Sequence, residues 1–171
     1  MKVKNAHAAT GVIQLDSWQF PCALGRNGLT SLKIEGDGAT PIGRWPIRQA
    51  YYRPDRIQRP VTELRLQPIR QTDGWCDAPH DSNYNRPISH PYHASAEHLW
   101  RDDHLYDLIV VVGYNDVQRS RHRGSAIFVH VAAPGFAPTE GCIALRRGDL
   151  IRLIGVMTPG QHLHIGPYHW R

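Results

Sequence analysis

Apolar and polar positions alternate through much of the chain, and the period is mostly two, which predicts strands. Val12–Leu15 and Trp18–Leu24 read as the arms of an opening hairpin. A turn follows at Arg26-Asn27-Gly28, where glycine takes a positive φ cheaply. Arg44–Tyr52 resumes an extended pattern, and Thr62–Ile69 alternates Leu64 and Leu66 with Glu63, Arg65 and Gln67, as a strand with one buried face would. Asp107–Tyr114 (DLIVVVGY) is a continuous apolar run and predicts a central strand buried on both faces. Ser125–Val131 is the next strand, with Ala126, Phe128 and His130 on one face and Ile127, Val129 and Val131 on the other. Helical spacing dominates only late, where Leu150, Ile151, Leu153, Ile154 and Met157 follow an Asp149 cap and stop at Thr158-Pro159-Gly160; Gln161–Ile165 closes as a strand. Ala96–Trp100 is expected to make one helical turn.

Two stretches break the alternation. In GLTSLKIEGDGATPIGRWPI the residues Gly36, Gly38, Pro41 and Gly43 interrupt regular structure and predict a shaped loop. It lacks the lysine spacing and the following helix of a phosphate cradle. Thr72–Tyr92 has no apolar period but several aromatics, and reads as a long ordered loop beside a functional site. The 13 prolines and 15 glycines suit many turns and short strands, so the fold class is mainly β with one or two short helices. Without a repeat or linker, residues 1–171 are expected to form a single domain with one core.

The formal charge of +5 favours an anionic partner such as nucleic acid, a membrane surface or an acidic polymer like peptidoglycan. The basic residues are spread thinly and carry no nucleic-acid-binding motif, so a solvated surface is the expectation and no nucleic acid is assigned as partner. No apolar window is long enough for membrane insertion, and the N-terminal stretch has no apolar run of signal-peptide length. His90, His93, His98 and His104 lie close in sequence without an HExxH pattern, and no metal is expected. The cysteines Cys22, Cys76 and Cys142 lack paired CxxC spacing, and the odd count leaves at least one thiol free. Cys22 and Cys76 could be bonded to each other or be two buried thiols; both readings stand at this level.

The candidate chemistry lies in Ser125–Leu145, SAIFVHVAAPGFAPTEGCIAL. His130 ends a strand-like run, and Cys142 directly follows Gly141 twelve positions after it. An imidazole that takes the proton of a thiol leaves a thiolate able to attack a carbonyl. A glycine before the nucleophile lets the chain turn sharply and lets a carbonyl approach the backbone N–H groups. Trp75 and Tyr114 are candidates for the wall of a substrate groove.

The EGDGATPIGRW stretch, followed by a strand ending in histidine and then TEGCI, resembles the L,D-transpeptidase family, the YkuD-type catalytic domain. The resemblance covers roughly Val12–Ile165 and implies a YkuD-type β-sandwich with a catalytic loop. It implies acyl transfer on peptidoglycan stem peptides without a cofactor, by a monomer acting in the periplasm. Cys142 would be the nucleophile and His130 its base, with the Gly141 and Cys142 N–H groups at the oxyanion and Thr139 and Glu140 against the histidine. The resolving amine could come from a neighbouring stem or a free D-amino acid; with water instead, the activity would be an L,D-carboxypeptidase. A wall-binding module without turnover is the other class. The chain departs from the family pattern in Glu140, where histidine is usual, in Ala144, where arginine is frequent, and in a shorter loop from His130 to Cys142. Arg146 or Arg147 is the expected replacement for that arginine. These departures resemble a proteobacterial subgroup linked to crosslinks on L-alanine at stem position one.

Overall fold

The computed structural model describes residues 2–3 and 7–167. A short strand β1 (Lys2–Val3) precedes the expected hairpin, β2 (Thr10–Leu15) and β3 (Trp18–Ala23), whose register runs from Thr10 opposite Ala23 to Leu15 opposite Trp18. The glycine-rich loop carries a two-residue pairing of β4 (Leu29–Thr30) with β5 (Thr40–Pro41) and leads into the long strand β6 (Gly43–Tyr52). β7 covers only Leu66–Pro68, shorter than the alternation of Thr62–Ile69 suggests. Thr62 Oγ1 accepts from the Leu64 N–H at 3.1 Å and donates to the Ile154 carbonyl at 2.6 Å, which turns the chain there and tethers it to the helix.

The stretch expected as one long loop contains β8 (Asp73–Cys76) and β9 (Pro87–Ser89), and the expected helical turn is a third strand, β10 (Ala96–His98). These pair in the order β10-β8-β9, with Ala96 opposite Cys76 and His98 opposite Gly74. Ladder bonds to a neighbouring strand outweigh the weak helical preference of so short a segment.

β11 (Leu108–Val112) and β12 (Phe128–Val131) follow, then β13 (Ile143–Leu145), α1 (Arg147–Val156) and β14 (His162–Pro167). The main sheet runs β11-β12-β13-β3-β2-β1-β14-β6-β7, and β6 also pairs with β11, so the sheet closes on itself. The result is a mainly β sandwich with one short helix, as the resemblance implies. α1 begins after Arg146 without a side-chain cap; Asp149 lies in its first turn, where a carboxylate favours the exposed N–H groups, instead of at the cap position. Leu150, Leu153 and Ile154 anchor the helix in the core.

β11 is buried on both faces, as its apolar run predicts. Leu108, Val110 and Val112 point into the main core with Val129 and Val131, whereas Ile109, Val111 and Phe128 face outward into a second apolar cluster with Tyr51, Trp75 and Tyr106. That cluster joins the main sheet to the small sheet β8–β10. Phe128 is its hub, with Trp75 and Tyr106 edge-on at ring-centroid distances of 5.2 and 5.9 Å. Cys22 and Cys76 are both buried as free thiols, one in the main core and one in the small sheet.

Phe128→Ala should therefore lower unfolding free energy by about 3–5 kcal/mol in urea denaturation, the usual cost of emptying a buried aromatic site. A loss below about 1 kcal/mol would show that the small sheet does not depend on this contact.

Candidate active site

The parallel pairing of β12 with β13 builds the site. Its register sets Val129 beside Ile143, His130 beside Ala144 and Val131 beside Leu145. Side chains at paired positions share a face, and so do residues two apart on one strand. Phe128, His130, Cys142 and Ala144 therefore occupy the outer face together, above the second apolar cluster. His130 and Cys142 both line one cavity of about 470 Å³, shared with Asp77, Glu97, Arg101 and Tyr106.

The loop from Ala132 to Cys142 is held at its C-terminal end by Thr139. Its Oγ1 donates to the Cys142 carbonyl at 2.6 Å and accepts from the Gly141 N–H at 3.1 Å. Thr139 also exchanges backbone bonds with the opening hairpin: its N–H donates to the Leu24 carbonyl, and the Arg26 N–H donates to its own carbonyl, both at 2.8 Å. Gly141 has φ +131°, and a Cβ there would lie 2.8 Å from the Ala39 carbonyl oxygen, so the position needs glycine on both counts. Ala39 belongs to the glycine-rich loop, which Asp37 organises by accepting from the Ile34 and Ala39 N–H groups at 2.8 and 2.9 Å and from Lys33. Burial opposes ionisation of Asp37, but these donors outweigh it and hold its carboxyl below the ordinary range.

His130 is buried and its Nδ1 lies 2.9 Å from the Val131 carbonyl. A carbonyl can only accept, so Nδ1 carries the proton and Nε2 keeps a lone pair for use as a base. The ring meets Tyr106 edge-on at 5.4 Å. Half-buried Cys142 places its sulfur against the β12 backbone, accepting from the Phe128 N–H at 3.3 Å and donating to the Ala126 carbonyl at 3.5 Å. Burial pushes the thiol up to about 12, and the Glu97 carboxylate adds to the effect against the Phe128 N–H and Lys33. Burial pushes the imidazole down to about 4, with the Val131 bond opposing. Thiol and imidazole are both neutral at rest.

The other expected site residues divide. Glu140 reaches the cavity rim but is ion-paired with Arg26, both exposed, and not with His130. Arg146 lies over the Phe136 ring at 5.1 Å and lines a neighbouring hollow with Arg147, Asp107 and Pro134, outside the cysteine cavity. It follows β13 at the start of α1, where the chain has turned away from the cavity. Trp75 is buried behind Phe128 with its Nε1 donating to Asn85 Oδ1 at 2.9 Å, so it supports the site from below instead of walling it. Tyr114 is buried elsewhere, edge-on to Trp45 at 4.8 Å, with its hydroxyl donating to the Arg123 carbonyl at 2.5 Å.

Three cavity residues carry no signal in the sequence pattern. Glu97 on β10 accepts from the Tyr106 hydroxyl at 2.6 Å; burial raises its carboxyl against that bond and against Arg101. Arg101 donates through Nε and Nη2 to Asp103 and holds Nη1 3.9 Å from Glu97 Oε1. Glu97 and Arg101 are four positions apart, a spacing that reads as a helical pair and not as two arms from a strand end.

Among the described residues no group of three or more His, Cys, Asp or Glu side chains is placed to hold a metal ion. His90 stacks on His98 at 3.6 Å, while His93 and His104 pair with Asp81 and Asp107. Among the described residues no helix is long and apolar enough to cross a membrane.

Fold and site together define a mainly β domain that presents a cysteine and a histidine in one cavity on a parallel strand pair. The chain belongs to the YkuD family: the model of the L,D-transpeptidase catalytic domain matches residues 9–165, nearly its whole length. Comparison with curated proteins and with solved structures gives no match.

The buried imidazole makes stability depend on pH. Its folded value of about 4 lies below the ordinary 6.5, so its contribution is complete above about pH 6.5 and is lost as pH falls toward 4. Relative to His130→Gln, the wild type should lose about 3 kcal/mol across that interval in denaturant titrations at fixed pH. Parallel stability profiles for the two proteins would contradict a buried neutral His130.

Proposed function

We propose that the protein is a peptidoglycan L,D-transpeptidase with Cys142 as nucleophile and His130 as base. The observation that carries the proposal is the placement of both side chains on one face of β12–β13, in one cavity, with the His130 Nε2 left as the proton acceptor. The substrate carbonyl belongs to the diamino acid at stem position three. As Cys142 Sγ attacks, its proton passes to His130 Nε2, and the imidazolium then gives it to the nitrogen of the departing D-alanine. A thioester remains. An acceptor amine adds to its carbonyl, loses a proton to Nε2 and expels the thiolate, which is reprotonated.

Burial disfavours a lone thiolate and a lone imidazolium, but opposite charges formed within one cavity offset one another. Ionisation is therefore coupled to filling of the cavity by substrate. The Gly141 N–H is occupied by Thr139 Oγ1, so the Cys142 N–H is the local donor for the oxyanion and Thr139 sets its direction. Glu140, held by Arg26 at the rim, meets the acceptor and not the imidazole. The neutral resting thiol suits a site that avoids oxidation until a stem enters. Periplasmic action and an L-alanine acceptor at stem position one accord with the family and with the departures at Glu140 and Ala144.

Incubation with sacculi or purified muropeptides, followed by mass analysis, tests the reading. Crosslinked dimers are expected from the wild type and none from Cys142→Ala. Tripeptides alone would make the enzyme a carboxypeptidase, D-amino-acid-terminated stems an exchange enzyme, and retained sacculus binding without products a wall-binding module.

A further inference from the structure

Two adjoining hollows that share no residue with the cysteine cavity gather basic side chains from distant parts of the chain. The larger, of about 450 Å³, is bordered by Arg44 from β6 and Arg123 from the loop after β11. The smaller, of about 200 Å³, is bordered by Arg86, just before β9, and by Arg119 from that same loop. Arg48 and Asp116 stand in the wall common to both, joined by two hydrogen bonds of 2.6 and 3.1 Å. Lys33 also lines the larger hollow, but its ammonium is held by Asp37. Arg44, Arg86, Arg119 and Arg123 have no carboxylate partner among the described residues, and Arg119 Nε is buried without an acceptor. Each hollow thus offers two guanidiniums without an anion, separated from the other two by a neutralised pair. The elements that carry them are fixed in place. Asn115 donates to the Ser120 and Gly124 carbonyls at 3.0 and 2.8 Å and accepts from the Ser120 N–H at 2.8 Å, which closes the loop that bears Arg119 and Arg123. Buried Asn85, beside Arg86, donates to the Tyr114 and Asn115 carbonyls, both at 2.9 Å, and so ties the small sheet to that loop.

We propose that the two hollows form a second binding face for the peptidoglycan polymer, outside the cysteine cavity, with one stem carboxylate seated between Arg86 and Arg119 and another between Arg44 and Arg123. The identity of the polymer rests on the transpeptidase reading; the preference for paired carboxylates rests on the face itself. Guanidiniums take carboxylates through parallel N–H donors, and the Arg48–Asp116 pair already shows that geometry in the shared wall. A phosphate dianion would bring twice the charge against Asp116, which borders both hollows. An arginine nitrogen can only donate, so the buried Arg119 Nε calls for an acceptor from outside the chain. A single small anion would fill one hollow and leave the other empty. A polymer with carboxylates at intervals fills both, and each engaged group raises the effective concentration of the next.

Cosedimentation of Cys142→Ala protein with purified sacculi measures binding to this face without turnover. Added to that protein, Arg86→Gln with Arg119→Gln should weaken apparent sacculus affinity at least about tenfold, and Arg44→Gln with Arg123→Gln should do the same. Arg44 and Arg123 are exposed, so the second pair carries the test if the first unfolds. Sacculi whose carboxyls have been converted to methylamides with a carbodiimide should bind all three proteins equally. Unchanged binding of native sacculi by either folded double variant, or a difference that persists on methylamidated sacculi, would overturn the proposal. Arginine-dependent binding of poly-L-glutamate combined with arginine-independent binding of sacculi would also overturn it and give the face to an acidic protein partner. No product is read, so a protein that makes no crosslinks can still bind through these arginines, and a crosslinking enzyme can bind without them.

Discussion

The parallel register between Phe128–Val131 and Ile143–Leu145 is the constraint on which the site depends, because it converts two distant sequence positions into neighbours on one face. Parallel strands cannot be joined by a tight turn, so the chain must leave the sheet after Val131 and return beside it before Ile143. The return is where Cys142 sits. The glycine-rich loop and the opening hairpin clamp that return through the Ala39 carbonyl against Gly141 and through the backbone bonds of Thr139 to Leu24 and Arg26. The two motifs that carry the family resemblance are thus in physical contact. One shapes the ground on which the other turns.

Alternation on the same strands divides the molecule into two energetic regions. Inward residues of β11 and β12 consolidate the large core, and outward ones form the smaller cluster that binds β8–β10 over the site. The small sheet does more than bury Phe128. It also brings Glu97, and Arg101 just after it, to the cavity that Cys142 and His130 line, where burial raises the thiol and lowers the imidazole. The cysteine–histidine pair and these charged side chains come from different sheets and line one space.

Much of this was legible in the residues. The continuous apolar run of β11 and the alternation of β12 gave the correct faces, because burial on one or two sides leaves a direct mark on hydrophobicity. His130 and Cys142 followed from chemistry and from that face assignment. The small sheet was illegible because its strands are three or four residues long and contain Gly74, Pro87 and Glu97, too few positions for a period to emerge. That Arg146, Trp75 and Tyr114 lie outside the cysteine cavity was hidden for a related reason. Residue type marks an arginine or aromatic as capable of binding, but its direction depends on where the chain turns, and after Leu145 it turns into α1.

Position 144 links the loop, the cavity and the small sheet. Ala144 is fully buried, lies beside His130 in the register and lines the cavity. A long cation at this point would have to compete with the imidazole for the same floor and would add a positive charge that disfavours the imidazolium. With a methyl group there, no side chain of β13 crowds His130, and the cation lining the cavity is Arg101, from the turn after β10, neutralised in part by Asp103. The positive charge nearest the cavity thus comes from outside the β12–β13 pair and is tied to Asp103, which leaves the strand face beside Ala144 to the imidazole.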